Sequence, residues 1–153
     1  VEPNGPPGHD VDFKGAPEWF SDNAHIKPFG LGEVPIAYDP PVSDAAPLVF
    51  VREDRPAAPD LVRCWAQKEP ARKLVNLQNI PLLIVTSEAS YHASYDHCTV
   101  RYLEQAGVKS TFLRLADVGI DGNGHMMMLE KNSDAIAKAM ADWLDQALPA
   151  AAR

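Results

Sequence analysis

His125 sits in the run Gly119-Ile120-Asp121-Gly122-Asn123-Gly124-His125-Met126-Met127-Met128, between a strand-like stretch and an amphipathic helical one. Gly122 and Gly124 flank Asn123, so the backbone is expected to turn sharply with φ > 0 and to offer the imidazole at the mouth of a sheet. That is how a catalytic base is commonly presented; the alternative is a structural loop histidine beside a Met-rich helix start. Asp121 reads as a turn residue shaping the loop. The three methionines pack as core, line an apolar pocket beside the histidine, or do both.

His92, Asp96 and His97, with His9 and Asp10 as additions, are the residues that suggest a metal. Their spacing opposes it, because positions i and i+5 of a helix point about 140° apart whereas i and i+4 share a face. No metal is expected, and His92 is taken as a pocket-lining or solvated residue at a helix start. Cys64 and Cys98 are too few for a disulfide scaffold, which leaves one bridge or two buried thiols.

The elements that must position His125 gather after residue 69. Residues 69–77 read as a short helix with Pro70 in its first turn. Residues 80–86, Ile-Pro-Leu-Leu-Ile-Val-Thr, form an apolar run of strand length, the pattern of a strand covered on both faces in a parallel sheet. A helix follows over about 93–105, stopped by Gly107, then a strand over 110–115. Past the histidine loop, Ser133 is expected to cap a helix whose Ile136, Met140, Trp143, Leu144 and Ala147 form one apolar face. Strand, helix, strand, loop, helix is a doubly wound α/β order. Two such strands need further strands beside them, from sequence or a chain not present here.

Residues 1–69 hold most of the fourteen prolines and little periodicity, yet carry Phe13, Trp19, Phe20, Phe29, Tyr38, Leu48, Phe50 and Trp65. A long irregular excursion with that many apolar side chains suits a lid over a site rather than a domain with its own sheet. Within it, residues 47–51 read as a short strand and 60–67 as a short helix capped by Asp60. The start at Val1, running directly into Pro3-Asn4-Gly5-Pro6-Pro7-Gly8, suggests a C-terminal piece of a longer polypeptide. A net charge of −7 without a basic run argues against nucleic acid or an anionic membrane surface as partner. No apolar run reaches the roughly 18 residues of a membrane span.

Gly122-Asn123-Gly124-His125-Met126-Met127-Met128, with Asn132 and the Trp143-Leu144 helix, resembles a small group of bacterial and fungal esterases of the α/β-hydrolase fold. In that group the histidine sits in a Gly-Asn-x-His-Met-Met-Met loop, and the triad acid is a glutamate directly after the sixth strand in a Val-Glu-Pro context. Val1-Glu2-Pro3 matches that context. The resemblance implies the C-terminal portion of an α/β-hydrolase: residues 1–3 ending the sixth strand with the acid, 4–69 a cap insertion, and 70–153 the last part of the core.

It further implies a serine hydrolase with His125 as base and Glu2 as acid. Glu88 is the rival acid, just past the strand where most of the superfamily keeps it, and Asp96 is a third choice. The nucleophile belongs in a glycine-flanked elbow that this chain lacks, since Ser87, Ser90 and Ser94 have no flanking glycines. The serine and oxyanion hole are therefore expected on a separate N-terminal chain of the same precursor, with no cofactor. The expected substrate is a small apolar or aromatic ester, or a lactone, contacting Met126, Met127, Trp19 and Phe20. The other readings are a non-catalytic ligand-binding member, or a lyase or acyltransferase using the same triad. Secretion or a periplasmic location is favoured, and a homodimer is left open.

Overall fold

The computed structural model describes residues 37–148; Glu2, His9, Asp10, Trp19 and Phe20 lie outside them. The described part is a small α/β arrangement of two helices and two small sheets, as expected of part of an α/β fold. At its centre β3 (Leu82–Thr86) pairs in parallel with β4 (Ser110–Arg114), in register from Leu82 opposite Ser110 to Thr86 opposite Arg114. α1 (Asp96–Gln105) crosses between them, and α2 (Ser133–Ala147) closes the described chain.

The alternation of side chains along β3 sends its apolar residues to two different cores. Leu82 packs with Tyr102 of α1, with Ala106 just past its end, and with Tyr38, Leu48, Leu74 and Val108. Leu83 and Val85 pack on the other side with Leu115, Met127 and Ile136 of α2. Each face of the strand thus has its own helix, which is why four of its five residues are buried. In the first core the Tyr38 and Tyr102 hydroxyls share a buried hydrogen bond of 2.7 Å. Burial raises both phenols above the ordinary range, so both stay protonated.

Two expected strand limits move. Residues 80 and 81 fall outside β3, because Pro81 has no N–H for the ladder and Ile80 is left exposed. Leu115 opens a 3-10 turn, Leu115–Val118, instead of extending β4. Before α1, a 3-10 turn, Tyr91–Ser94, is capped by Ser90, whose Oγ accepts the His92 N–H at 3.1 Å.

The expected helix over 60–67 does not form. Trp65–Gln67 is instead a strand, β2, antiparallel to β1 (Phe50–Arg52), so the stretch expected to lack a sheet contributes one. Long-range partners take its backbone: the Val62 N–H donates to the Ser94 carbonyl at 3.0 Å, and the Gln67 N–H to Gln105 Oε1 at 2.8 Å. The helix expected over 69–77 shrinks to a 3-10 turn, Val75–Leu77. There Lys73 exchanges backbone hydrogen bonds of 2.9 and 2.7 Å with Asp39, and the Leu74 N–H donates to the Ala106 carbonyl at 3.0 Å. In both places tertiary hydrogen bonds override weak local helix preference.

α2 starts as expected, but its N-cap position is Asn132 and no side chain caps it. Of its apolar face, Ile136 is buried and Trp143 packs beside it, donating its indole N–H to Thr111 Oγ1 at 2.9 Å. Met140 and Leu144 are exposed. Among the described residues no helix is long and apolar enough to cross a membrane.

Cys64 and Cys98 form a disulfide that ties the residues before β2 to α1 across a separation of 34 residues. Closing a loop of that size restricts the unfolded chain by about 4 kcal/mol. His97 lies against the bridge, with Nε2 at 3.1 Å from Cys64 Sγ and 3.5 Å from Cys98 Sγ. Disulfide sulfurs carry no hydrogen, so the ring N–H donates. Burial, the largest influence, holds His97 below the ordinary histidine range, partly offset by the Val62 carbonyl and the Glu53 carboxylate.

A histidine whose folded pKa is depressed binds more protons when unfolded, so its contribution is full above the unfolded value and is lost as pH falls through it. Denaturant midpoints measured from pH 8 to pH 5 are therefore expected to fall more steeply for the wild type than for His97→Gln. Equal slopes would remove His97 as the cause.

Candidate functional site

Both loops that meet near His125 leave the carboxyl ends of the parallel strands, where open α/β sheets form their ligand crevices. From β3 the chain runs through residues 87–90 into the Tyr91–Ser94 turn; from β4 it runs through Leu115–Val118 to the histidine loop. Gly119 (φ +75°) and Gly122 (φ +72°) both lie in the left-handed region, which a β-carbon would strain, and they reverse the chain twice before His125. Gly124, expected to share this role, does not adopt a positive φ. Its N–H donates to Glu130 Oε1 at 3.1 Å and its carbonyl accepts from Ser87 Oγ at 2.7 Å.

The two loops are stitched together. Besides the Ser87 hydroxyl, the Ala89 N–H donates to the Asn123 carbonyl at 3.0 Å, and the Gly122 N–H donates to Glu88 Oε2 at 3.0 Å. The buried Asn123 side chain pairs reciprocally with Asn132 at the start of α2, at 2.6 and 3.1 Å. His125 is thus carried on a segment fixed to β3 and to α2 at once.

The imidazole of His125 is half-buried. Its Nε2 lies 3.3 Å from the Tyr91 hydroxyl. The His92 ring stacks on it, with centroids 4.6 Å apart and planes inclined by 18°, and the Tyr91 ring lies 4.5 Å away at 44°. His92 and Asp96 are almost fully buried, and His92 Nδ1 is 3.1 Å from Asp96 Oδ1. Tyr91 also lines a cleft of about 480 Å³ together with Thr86, Ser87, Glu88, Ser90 and Arg114.

Several candidates thus acquire definite positions. Glu88, the rival acid, is exposed and holds the backbone of the histidine loop. Asp96 engages His92. The Ser87, Ser90 and Ser94 hydroxyls each bond backbone: Ser87 to Gly124, Ser90 to His92, and Ser94 to Tyr91 at 3.4 Å. Met127 is buried in the α2-side core, whereas Met126 and Met128 are exposed. Met127, Met128 and Met140 line a second, apolar cleft of about 440 Å³ against α2.

The three residues suspected of metal binding are used differently: His92 and Asp96 pair with each other, and His97 faces the disulfide. Cys64, His97 and Cys98 do bring three donor atoms together, but their sulfurs are bonded to each other and are not thiolates. Tyr91 was not singled out by sequence. The pairing of His92 with Asp96 had a readable signal in their i, i+4 spacing.

The chain is similar to the "Probable secreted lipase phiG" of Fungal sp. (strain ATCC 74256), at 38% identity over 150 residues. The match covers 95% of this chain and 38% of the lipase, so the chain spans well under half the length of that relative. No family model matches the chain. No solved structure matches it.

Asn123 is buried whereas Asn132 is exposed, so removing the Asn123 amide costs the paired hydrogen bonds but leaves Asn132 open to water. Asn123→Ala is expected to lower stability by about 1 kcal/mol, read from denaturant unfolding, and to speed amide exchange in the histidine loop. An unchanged midpoint would show that the pair does not hold the loop.

Proposed function

We propose that this chain contributes the histidine and the acid of a serine carboxylic-ester hydrolase of the α/β-hydrolase fold. The nucleophilic serine and oxyanion hole come from an N-terminal chain of the same precursor, since no glycine-flanked serine elbow occurs in these 153 residues. The observation that carries the reading is the placement of His125. A half-buried imidazole stands on a doubly anchored loop at the carboxyl end of the parallel pair, with Nε2 toward a hydroxyl that lines a cleft. The similarity to a lipase supports ester-bond hydrolysis.

In this mechanism His125 Nε2 takes the proton as the serine Oγ bonds to the ester carbon. It passes that proton to the alcohol as the ester C–O bond breaks. Water then attacks the acyl carbon as Nε2 takes its proton, and Nε2 gives that proton to the serine Oγ as the acyl–Oγ bond breaks and the carboxylic acid leaves. An acid at Nδ1 keeps Nε2 free to accept, and we assign that role to Glu2. Glu88 is the alternative, and its engagement with the Gly122 N–H favours a role in holding the loop.

The substrate is a carboxylic ester or lactone with an apolar portion, for which Met126, Met127, Trp19 and Phe20 are the proposed contacts. The disulfide and the secreted relative support an oxidising, extracytoplasmic location.

His125→Ala is expected to reduce ester turnover by about a millionfold with the assembly intact. Glu2→Gln should cost about ten-thousandfold and Glu88→Gln less than about tenfold, measured as kcat/KM on a chromogenic ester. The reverse ranking would move the acid to Glu88. A fluorophosphonate probe, followed by intact mass, should label a second chain; no labelling of the complete, folded assembly would favour a ligand-binding protein.

A further inference from the structure

The mechanism above leaves a buried ionisable pair unused. Asp96 has no solvent exposure and His92 only 2%, yet His92 stacks on His125 and Asp96 bonds His92. Removing a carboxylate from water is unfavourable unless the group does something that an apolar residue cannot. One oxygen of Asp96 meets His92 Nδ1; Oδ2 has no hydrogen-bond partner among the described residues. Its observed use is therefore to hold the His92 ring.

We propose that His92, locked by Asp96, is a positioning residue for His125, setting the plane of its imidazole through ring stacking. The inference rests on the esterase reading given above. An acid at Nδ1 fixes one point of the catalytic ring and leaves tilting of the ring plane about the line from Cβ to Nδ1 as the remaining freedom. A flat ring 4.6 Å away and inclined by only 18° opposes that rotation. His92 is suited to the task because its backbone is also held: its N–H is capped by Ser90 Oγ, and its carbonyl accepts the Tyr95 N–H at 2.9 Å. Tyr91, 4.5 Å from both rings, closes the remaining side of the cluster. The carboxylate orients the stacking ring, and the stacking ring orients the base.

The contribution should appear in kcat, because a misaligned imidazole transfers protons poorly while leaving the ester-binding cleft in place. In the intact protein with its nucleophile present, His92→Ala is expected to lower kcat about a hundredfold with KM within about threefold. That variant leaves a buried carboxylate unpaired and risks misfolding. The decisive pair is therefore H92F/D96N against H92L/D96N, which both fill the space without a buried charge but differ in offering a ring.

H92F/D96N should exceed H92L/D96N in kcat by about tenfold or more, at similar KM and similar melting temperature. Equal kcat values in the two folded variants would overturn the proposal. Wild-type protein run alongside separates the two levels of inference. If it hydrolyses ester, labels with fluorophosphonate and loses both in His125→Ala, then equal variants sink the positioning role alone. If the wild type does neither, the esterase reading itself falls.

Discussion

The parallel pairing of β3 with β4 is the constraint on which the site depends. It brings the carboxyl ends of both strands to one edge, so the loops that follow emerge side by side. Once adjacent, they satisfy one another's polar groups: Ser87 with Gly124, Ala89 with Asn123, and Glu88 with Gly122. Three short hydrogen bonds fix the histidine loop more firmly than its glycine content would suggest. The freedom that Gly119 and Gly122 provide is needed to make the reversals, and the cross-loop bonds then remove it.

The strands can impose this arrangement because both faces of β3 are covered. α1 and the residues around Tyr38 and Leu48 close one face, and α2 with Met127 and Leu115 closes the other. Met127 connects the core to the site, being a neighbour of His125 in sequence and of Ile136 in space. The disulfide and β2 brace α1 from outside, and α1 begins at Asp96, the residue that holds His92. Packing, covalent bridging and the aromatic cluster around His125 are therefore joined through one helix.

Similarity to a secreted lipase and the geometry around His125 are independent supports for the proposed ester hydrolysis. The similarity bears on the proposed reaction class and says nothing about any one side chain. The geometry bears on which imidazole is half-buried and anchored beside a cleft. The aromatic cluster adds a layer that neither a loop motif nor overall similarity would expose, because its members act through ring faces.

The sequence by itself determined what local periodicity and turn chemistry can determine: β3 from its apolar run, α1 ended by Gly107, α2 from its apolar spacing, and His125 on a glycine-bearing loop. It misassigned residues 60–67 and 69–77 as helices, since their backbone partners, Ser94, Gln105, Asp39 and Ala106, lie far away in the chain. It left Cys64 and Cys98 open for the same reason, as a bridge depends on where two distant β-carbons arrive. Tyr91 and the His92–Asp96 pair belonged to no motif, and only the packing of the Tyr91–Ser94 turn beside the histidine loop made Tyr91 and His92 neighbours of His125. Local pattern sets an element and the type of side chain it carries. Which side chains meet across elements is decided by long-range hydrogen bonds and burial, which no window of sequence contains.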